Sequence, residues 1–158
     1  VRGVMILINT VAGDVETGLA IAETIRSMTK PTVTVVLGGG HSIGVPIAVS
    51  GRRSFIVSTA TMIVHPIRMT GLVIGIPQAF EYIKKMQERI VTFVAANSNI
   101  TAKRFRELMV NTGELTQDVG TILVGPDAVK EGLIDQEGGI GEALAALRGM
   151  VGEGTKDT

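Results

Sequence analysis

A serine in a glycine-rich turn is the residue of this chain best suited to nucleophilic chemistry. Ser42 lies in the segment Gly-Gly-Gly-His-Ser-Ile-Gly at residues 38–44, between an apolar strand-like run, residues 32–37, and an apolar helix-like run, residues 43–49. Glycines permit a sharp turn and close approach of a substrate backbone, and a helix that starts after the serine directs free N–H groups at its oxygen. A helix-capping serine in an ordinary turn fits the same pattern.

A serine hydroxyl is a good nucleophile only when a base removes its proton, and the chain has two histidines. His65 follows the strand-like run 62–64, and catalytic groups on parallel sheets gather at the carboxyl ends of strands. His41 is adjacent to Ser42, and because neighbouring side chains usually diverge, we expect it to make a local hydrogen bond instead. His65 is therefore the candidate base, with a surface histidine that has no catalytic role as the alternative.

Backbone N–H groups near Ser42 are candidate donors to an oxyanion. Gly13 ends the turn after the first strand-like run, residues 4–8, and Ile43 directly follows Ser42. Two N–H groups aimed at one point stabilise the tetrahedral intermediate of acyl transfer. An ordinary turn glycine is the alternative interpretation of Gly13.

The length of the chain, 158 residues, predicts one domain that buries its own core. We assign residues 1–150 to this domain and residues 151–158 to a polar, flexible tail. The sequence starts with Val-Arg-Gly-Val and has no initiator methionine. We therefore expect the natural N-terminus to lie upstream.

The composition excludes several classes of function. The chain has no cysteine, which rules out thiolate chemistry and fits a reducing compartment, so we expect a cytoplasmic protein. Lys and Arg number 15, as do Asp and Glu, and aromatic residues make up 3%, which disfavours nucleic acid as a partner. The apolar runs are too short to span a bilayer, so we do not expect an integral membrane protein. We also expect neither a cofactor nor a metal.

The order of elements predicts an α/β fold with parallel strands covered on both faces. Short β-branched runs alternate with segments whose apolar residues recur three and four apart. The predicted strands are 4–8, 32–37, 54–58, 60–64 and 132–135, with a short apolar run at 118–125. The predicted helices are 15–28, 43–49, 78–97, 101–110 and 140–147, with one helical turn at 126–131. The segment 78–97 is the longest and is amphipathic.

Four motifs, in the correct order, resemble the Clp protease proteolytic subunit family, and most closely its divergent branch, the translocation-enhancing proteins. They are Ile-Asn-Thr-Val-Ala-Gly at 8–13, Leu-Gly-Gly-Gly-His-Ser-Ile-Gly at 37–44, Met-Ile-Val-His-Pro at 62–66 and Glu-Gly-Leu-Ile-Asp at 131–135. The chain departs from the family where Val11 and Ala12 replace a proline and a glycine. It also departs where His41 replaces a small residue.

The resemblance implies a role for each candidate residue and a fold. Ser42 becomes the nucleophile, His65 the general base, and the N–H groups of Gly13 and Ile43 the oxyanion hole. The third member of the triad is implied to be Asp118, with Glu114 as the alternative. The implied fold is the one shared by Clp proteases and crotonases, with repeated β-β-α units, a mostly parallel sheet and a long protruding helix.

The resemblance also implies partners. The substrate is expected to be a polypeptide, delivered by an unfoldase or by export machinery. The subunits are expected to form heptameric rings that stack through a long helix. Helix 78–97 is the candidate for this contact, although its apolar stripe fits packing inside one subunit equally well. Three alternatives remain open at this stage. The first is a non-catalytic assembly or adaptor protein of the same fold. The other two are an acyl-CoA enzyme of the crotonase type, and a Ser-Lys peptidase that uses Lys84 or Lys85.

Overall fold

A computed structural model of the chain describes residues 1–68, 75–113 and 119–153. Six strands form one sheet, and all of their pairings are parallel except the one between the fourth and fifth strands. The strands are β1 (Val4–Thr10), β2 (Thr32–Gly40), β3 (Arg53–Ile56), β4 (Thr61–Val64), β5 (Thr121–Val124) and β6 (Gln136–Glu137). The prediction of an α/β fold with a mostly parallel sheet is confirmed.

Strand β2 is the centre of the sheet because it pairs with three neighbours. Its first half pairs with β3, from Val33 opposite Arg53 onward, while Gly39 near its end pairs with Thr61 of β4. Strand β1 lies along its other side. The sheet therefore brings the carboxyl ends of β1, β2 and β4 together.

Six helices accompany the strands within the described ranges. They are α1 (Val15–Arg26), α2 (Gly44–Val49), α3 (Ile76–Ala96), α4 (Ala102–Met109), α5 (Gly125–Lys130) and α6 (Ile140–Glu153). The side chains of Asp14 and Thr101 cap α1 and α4 by accepting backbone N–H bonds. In α3 only the second half is buried, from Met86 onward, so its first half extends away from the core.

Two apolar clusters cover the two faces of the sheet. The larger one joins α1, α2, α3 and α4 to one face, and the smaller one packs α6 against residues of β2 and β3 such as Val33, Val35 and Phe55. Coverage of both faces explains why seven of the nine residues of β2 are buried, including Thr32 and Thr34. The larger cluster lies beneath the strand ends that carry the candidate site.

The last predicted strand is wrong. We expected residues 132–135 to be extended, but the N–H groups of Leu133 and Ile134 both donate to the Ala128 carbonyl and wrap the end of α5. The strand forms instead at Gln136–Glu137, beside β3. In addition, α6 continues to Glu153, past its predicted end at Leu147.

The described part of the chain has no helix that is both long enough and apolar enough to cross a membrane.

Candidate active site

The carboxyl ends of three neighbouring strands surround one cavity of about 240 Å³. Gly13 follows β1, Ser42 and Ile43 follow β2, and His65 follows β4, and all of them line this cavity. The structure thus brings together the four described residues to which the resemblance gave roles. Their proximity follows from parallel pairing, since parallel strands end at the same edge of a sheet.

Ser42 has an unusual backbone conformation. Its φ of 57° is the only positive φ among the described residues other than glycine. Such a conformation costs about 1–3 kcal/mol and persists only where the surrounding structure enforces it. The Ser42 N–H donates to the Ile63 carbonyl at 2.9 Å, and the His41 N–H donates to the Thr10 carbonyl at 3.1 Å. Bonds to β4 and β1 therefore hold the turn from both sides.

The approach to this turn needs a glycine at position 39. A Cβ atom there would lie 2.8 Å from the Thr10 carbonyl oxygen, which belongs to backbone that cannot move aside cheaply. The Gly39 N–H also donates to the Asn9 side-chain oxygen at 2.9 Å. The glycine run thus lets β1 and β2 approach closely just before the turn at Ser42.

The imidazole of His65 is held by a backbone carbonyl. Its Nδ1 lies 2.6 Å from the carbonyl oxygen of Pro66. Because a carbonyl oxygen can only accept, the bond requires the proton to be on Nδ1. In the neutral ring this leaves Nε2 with a lone pair, as a general base requires. Neither the motif nor its spacing indicated this carbonyl.

No hydrogen bond joins the Ser42 hydroxyl to His65 in the described part of the chain. The two side chains line the same cavity without contact at hydrogen-bond distance. Catalytic hydrogen bonds are often long in the absence of substrate and shorten when it binds. The absence of this bond therefore does not exclude Ser42 and His65 as a candidate nucleophile and base.

The Ile43 side chain occupies the space beside Gly13. A Cβ atom at Gly13 would lie 2.9 Å from Cγ2 of Ile43, so a larger residue there would require this side chain to move. Neither N–H donates to an acceptor among residues 1–68, 75–113 and 119–153. Two unused donors beside Ser42 are what an oxyanion hole requires.

His41 does not make the local hydrogen bond that we expected. Its Nε2 lies 2.9 Å from the hydroxyl oxygen of Thr61, at the start of β4 and 20 residues along the chain. Burial lowers the pKa of His41 below its usual value, and the nearby His65 imidazole lowers that pKa further. His41 is therefore neutral at pH 7 and lies close enough to His65 to interact with it electrostatically.

Apolar side chains from three helices line the inner wall of the cavity. They are Val45 of α2, Ile90 of α3, and Phe105 and Met109 of α4. Sequence reasoning assigned none of them to the site, although Phe105 and Met109 do lie on the apolar face of a predicted helix. Helical spacing shows that such a face is buried, but not which cavity it faces.

The implied third member of the triad lies outside the described residues. Asp118 and its alternative Glu114 both fall between Gly113 and Val119. Their positions relative to His65 remain a prediction.

Comparisons with known proteins give the same family. The family model described as Clp protease matches residues 1–138. The translocation-enhancing protein TepA of Halalkalibacterium halodurans is 60% identical over 151 residues, which cover 96% of this chain and 59% of that protein.

More distant relatives are also similar. The ATP-dependent Clp protease proteolytic subunits of Streptococcus pyogenes and Streptococcus suis are each 30% identical over 114 residues, or 67% of this chain and 57% of theirs. The chain spans about three-fifths of the length of these curated relatives. The extent of the family match, 138 of 158 residues, shows that the chain belongs to the Clp protease family.

Proposed function

We propose that this protein is a serine endopeptidase that cleaves polypeptides at the cavity beside Ser42. One observation carries the proposal: Gly13, Ser42, Ile43 and His65 line a single cavity at the ends of three strands. Membership of the Clp protease family supports the same chemistry. The pairing of serine with histidine disfavours an acyl-CoA enzyme, which needs only backbone donors.

The proposed reaction follows the usual course of acyl transfer. His65 Nε2 takes the hydroxyl proton while Ser42 Oγ bonds to the carbonyl carbon of the scissile peptide. The N–H groups of Gly13 and Ile43 stabilise the oxyanion that forms. The C–N bond then breaks, and His65 returns the proton to the leaving amine. Water, activated by the same imidazole, hydrolyses the acyl-enzyme and restores Ser42.

Asp118 is proposed as the residue that orients His65, with Glu114 as the alternative. The Pro66 carbonyl already accepts a bond from Nδ1. We therefore expect Asp118→Asn to slow hydrolysis less than His65→Ala does, because a partner for Nδ1 remains. An unchanged rate in Asp118→Asn would transfer the assignment to Glu114 or to a Ser-His pair.

The proposal places the site in an oligomeric ring, heptameric and stacked, in the cytoplasm. The exposed first half of α3 supports a contact between rings, since Phe80 and Tyr82 on it are 64% and 56% exposed. The name of the relative TepA supports a link to protein export. An unfoldase or a component of export machinery would then deliver the polypeptide.

Hydrolysis of an unstructured polypeptide by the assembled protein tests the proposal. We expect Ser42→Ala and His65→Ala each to abolish cleavage while the melting temperature stays close to that of the wild type. Ser58→Ala is the matched control, since Ser58 lies in the turn between β3 and β4, outside the cavity. Full cleavage by Ser42→Ala would refute the proposal. No cleavage by assembled wild-type protein would favour the non-catalytic assembly role.

A further inference from the structure

The ring of His41 connects residues 40–44, the nucleophile turn of the proposed function, to β4, the strand that precedes His65. His41 immediately precedes Ser42, and its Nε2 lies 2.9 Å from the Thr61 hydroxyl oxygen. Thr61 is the first residue of β4, and His65 directly follows the last. This bond therefore joins the two chain segments that carry the nucleophile and the base.

Thr61 and His65 lie at the two ends of β4, with Thr61 as its first residue and His65 directly after its last. Within the strand, Met62 and Val64 are buried while Thr61 and Ile63 are half-buried, as the alternation of a strand requires. The His41 ring is thus anchored to the half-buried face of the strand that leads to His65. The effect of His65 on the pKa of His41 is consistent with this arrangement.

The turn needs such an anchor because of the conformation of Ser42. A positive φ in a residue other than glycine is maintained only by its surroundings. The backbone bonds to Thr10 and Ile63 hold the main chain of the turn. Of the described side chains in residues 40–44, only that of His41 makes a hydrogen bond to another strand.

We propose that His41 is a positioning residue, which holds the nucleophile turn against β4 through Thr61 and so sets Ser42 Oγ relative to His65. The inference rests on the proposed function. His41 does not line the cavity and takes no proton from Ser42. His41 affects the relative positions of Ser42 and His65 and takes no part in the transfer of the proton.

Two pairs of variants test the bond from both ends. Thr61→Val removes the hydroxyl but keeps shape and strand propensity, while Thr61→Ser keeps the hydroxyl. His41→Ala removes the ring, while His41→Gln keeps a polar atom near the position of Nε2. Two quantities are measured on full-length protein: the rate of Ser42 labelling by a fluorophosphonate, and amide hydrogen exchange in a peptide covering residues 38–44.

We expect Thr61→Val and His41→Ala each to slow labelling about tenfold, the size expected for one hydrogen bond, and to accelerate exchange similarly. Thr61→Ser and His41→Gln should stay within about threefold of the wild type in both. The double variant His41→Ala with Thr61→Val should be no slower than the slower single variant, because both remove the same bond. KM for a peptide substrate should not change.

Wild-type labelling and exchange in Thr61→Val would overturn the inference, as would additive losses in the double variant. These results leave the proposed function intact as long as the wild type labels at Ser42. If the wild type does not label at all, the proposed function fails, and exchange alone decides the inference. Unchanged exchange in His41→Ala would then refute it.

Discussion

The backbone of Ser42 is held in a conformation that a serine rarely adopts. Its φ is 57°, the residue lies between β2 and α2, and it lines the cavity. The N–H groups of His41 and Ser42 are bonded to neighbouring strands. The Ile43 N–H remains unused among the described residues. One turn therefore carries both the proposed nucleophile and a proposed donor to the oxyanion.

The lowered pKa of His41 leads to a prediction about stability. The neutral ring is favoured in the folded state, so as the pH falls the unfolded chain binds the proton first. The contribution of His41 to the free energy of unfolding is therefore full above its unfolded-state pKa of about 6.5. This contribution should decline as the pH falls below that value. When the pH is lowered from about 7.5 to about 5.5, the melting temperature of His41→Gln should therefore fall less than that of the wild type. Thermal unfolding of both proteins across this range measures the difference. A larger loss in His41→Gln, or no difference, would contradict the assignment.

At the scale of single residues, sequence reasoning placed Ser42 and His65 after neighbouring strands, but it did not give the orientations of their side chains. Ser42 and His65 stand out because their motifs place them after apolar runs that end in turns. The bond from His65 Nδ1 to the Pro66 carbonyl depends on the rotamer of the ring, which spacing does not determine. The hydrogen bond between His41 and Thr61 depends on the register in which β2 pairs with β4. No local sequence pattern encodes that register.

Among the elements, β2 determines the geometry of the site. It pairs with β1, β3 and β4, and its glycine-rich end is where β4 replaces β3 as the neighbour. A strand with side chains at residues 38–40 would keep these neighbours farther apart. The glycines therefore serve the packing of strands as well as the turn.

Two glycine substitutions should have opposite effects on the free energy of unfolding. Gly39→Ala places a Cβ 2.8 Å from the Thr10 carbonyl oxygen and should lower this free energy by about 1–3 kcal/mol. Gly149→Ala, in α6, meets nothing within 4 Å and should raise it by about 0.5–1 kcal/mol because alanine favours helix. Urea unfolding of the two variants measures both changes. Equal changes in the free energy of unfolding for the two variants would show that the close approach of β1 and β2 does not require glycine at residue 39.

Elements marked by an apolar pattern were predictable, including short ones such as α2 and β4, whereas β6 was not. Helix α3 begins at Ile76 and ends at Ala96, within two residues of the predicted limits, because its apolar stripe is long. Strand β6 has only two residues, both exposed, so no apolar pattern marks it. Its position is determined by pairing with Phe55 and Ile56 of β3, which is a tertiary effect.

At the scale of the whole molecule, α3 extends from the candidate site to an exposed apolar surface. Its second half is buried against the core and contributes Ile90 to the cavity wall, while its first half exposes Ile76, Phe80 and Tyr82. Ile76 and Phe80 are four residues apart and lie on the same face of the helix, whereas Tyr82 lies on another face. Exposed neighbouring apolar side chains are typical of protein interfaces. The proposed ring contact would therefore be made by the same helix that borders the candidate site.

Phe80→Ser should weaken self-association at least about tenfold, since burial of one phenylalanine contributes about 1.5–3 kcal/mol. Ile140→Ser is the control, because Ile140 is 47% exposed but lies at the start of α6, which packs on β1, β2 and β3. Sedimentation velocity across a concentration series measures both. Equal association of Phe80→Ser and wild-type protein would remove α3 from the proposed interface.

The central claim is that Ser42 is a nucleophile activated by His65, and covalent labelling tests it most directly. Assembled full-length protein is treated with a fluorophosphonate, and the modified residue is located by mass spectrometry in the wild type, Ser42→Ala and His65→Ala. We predict one adduct, on Ser42, that is absent from Ser42→Ala and strongly reduced in His65→Ala. An adduct on another serine, or Ser42 labelling at the same rate without His65, would contradict the account.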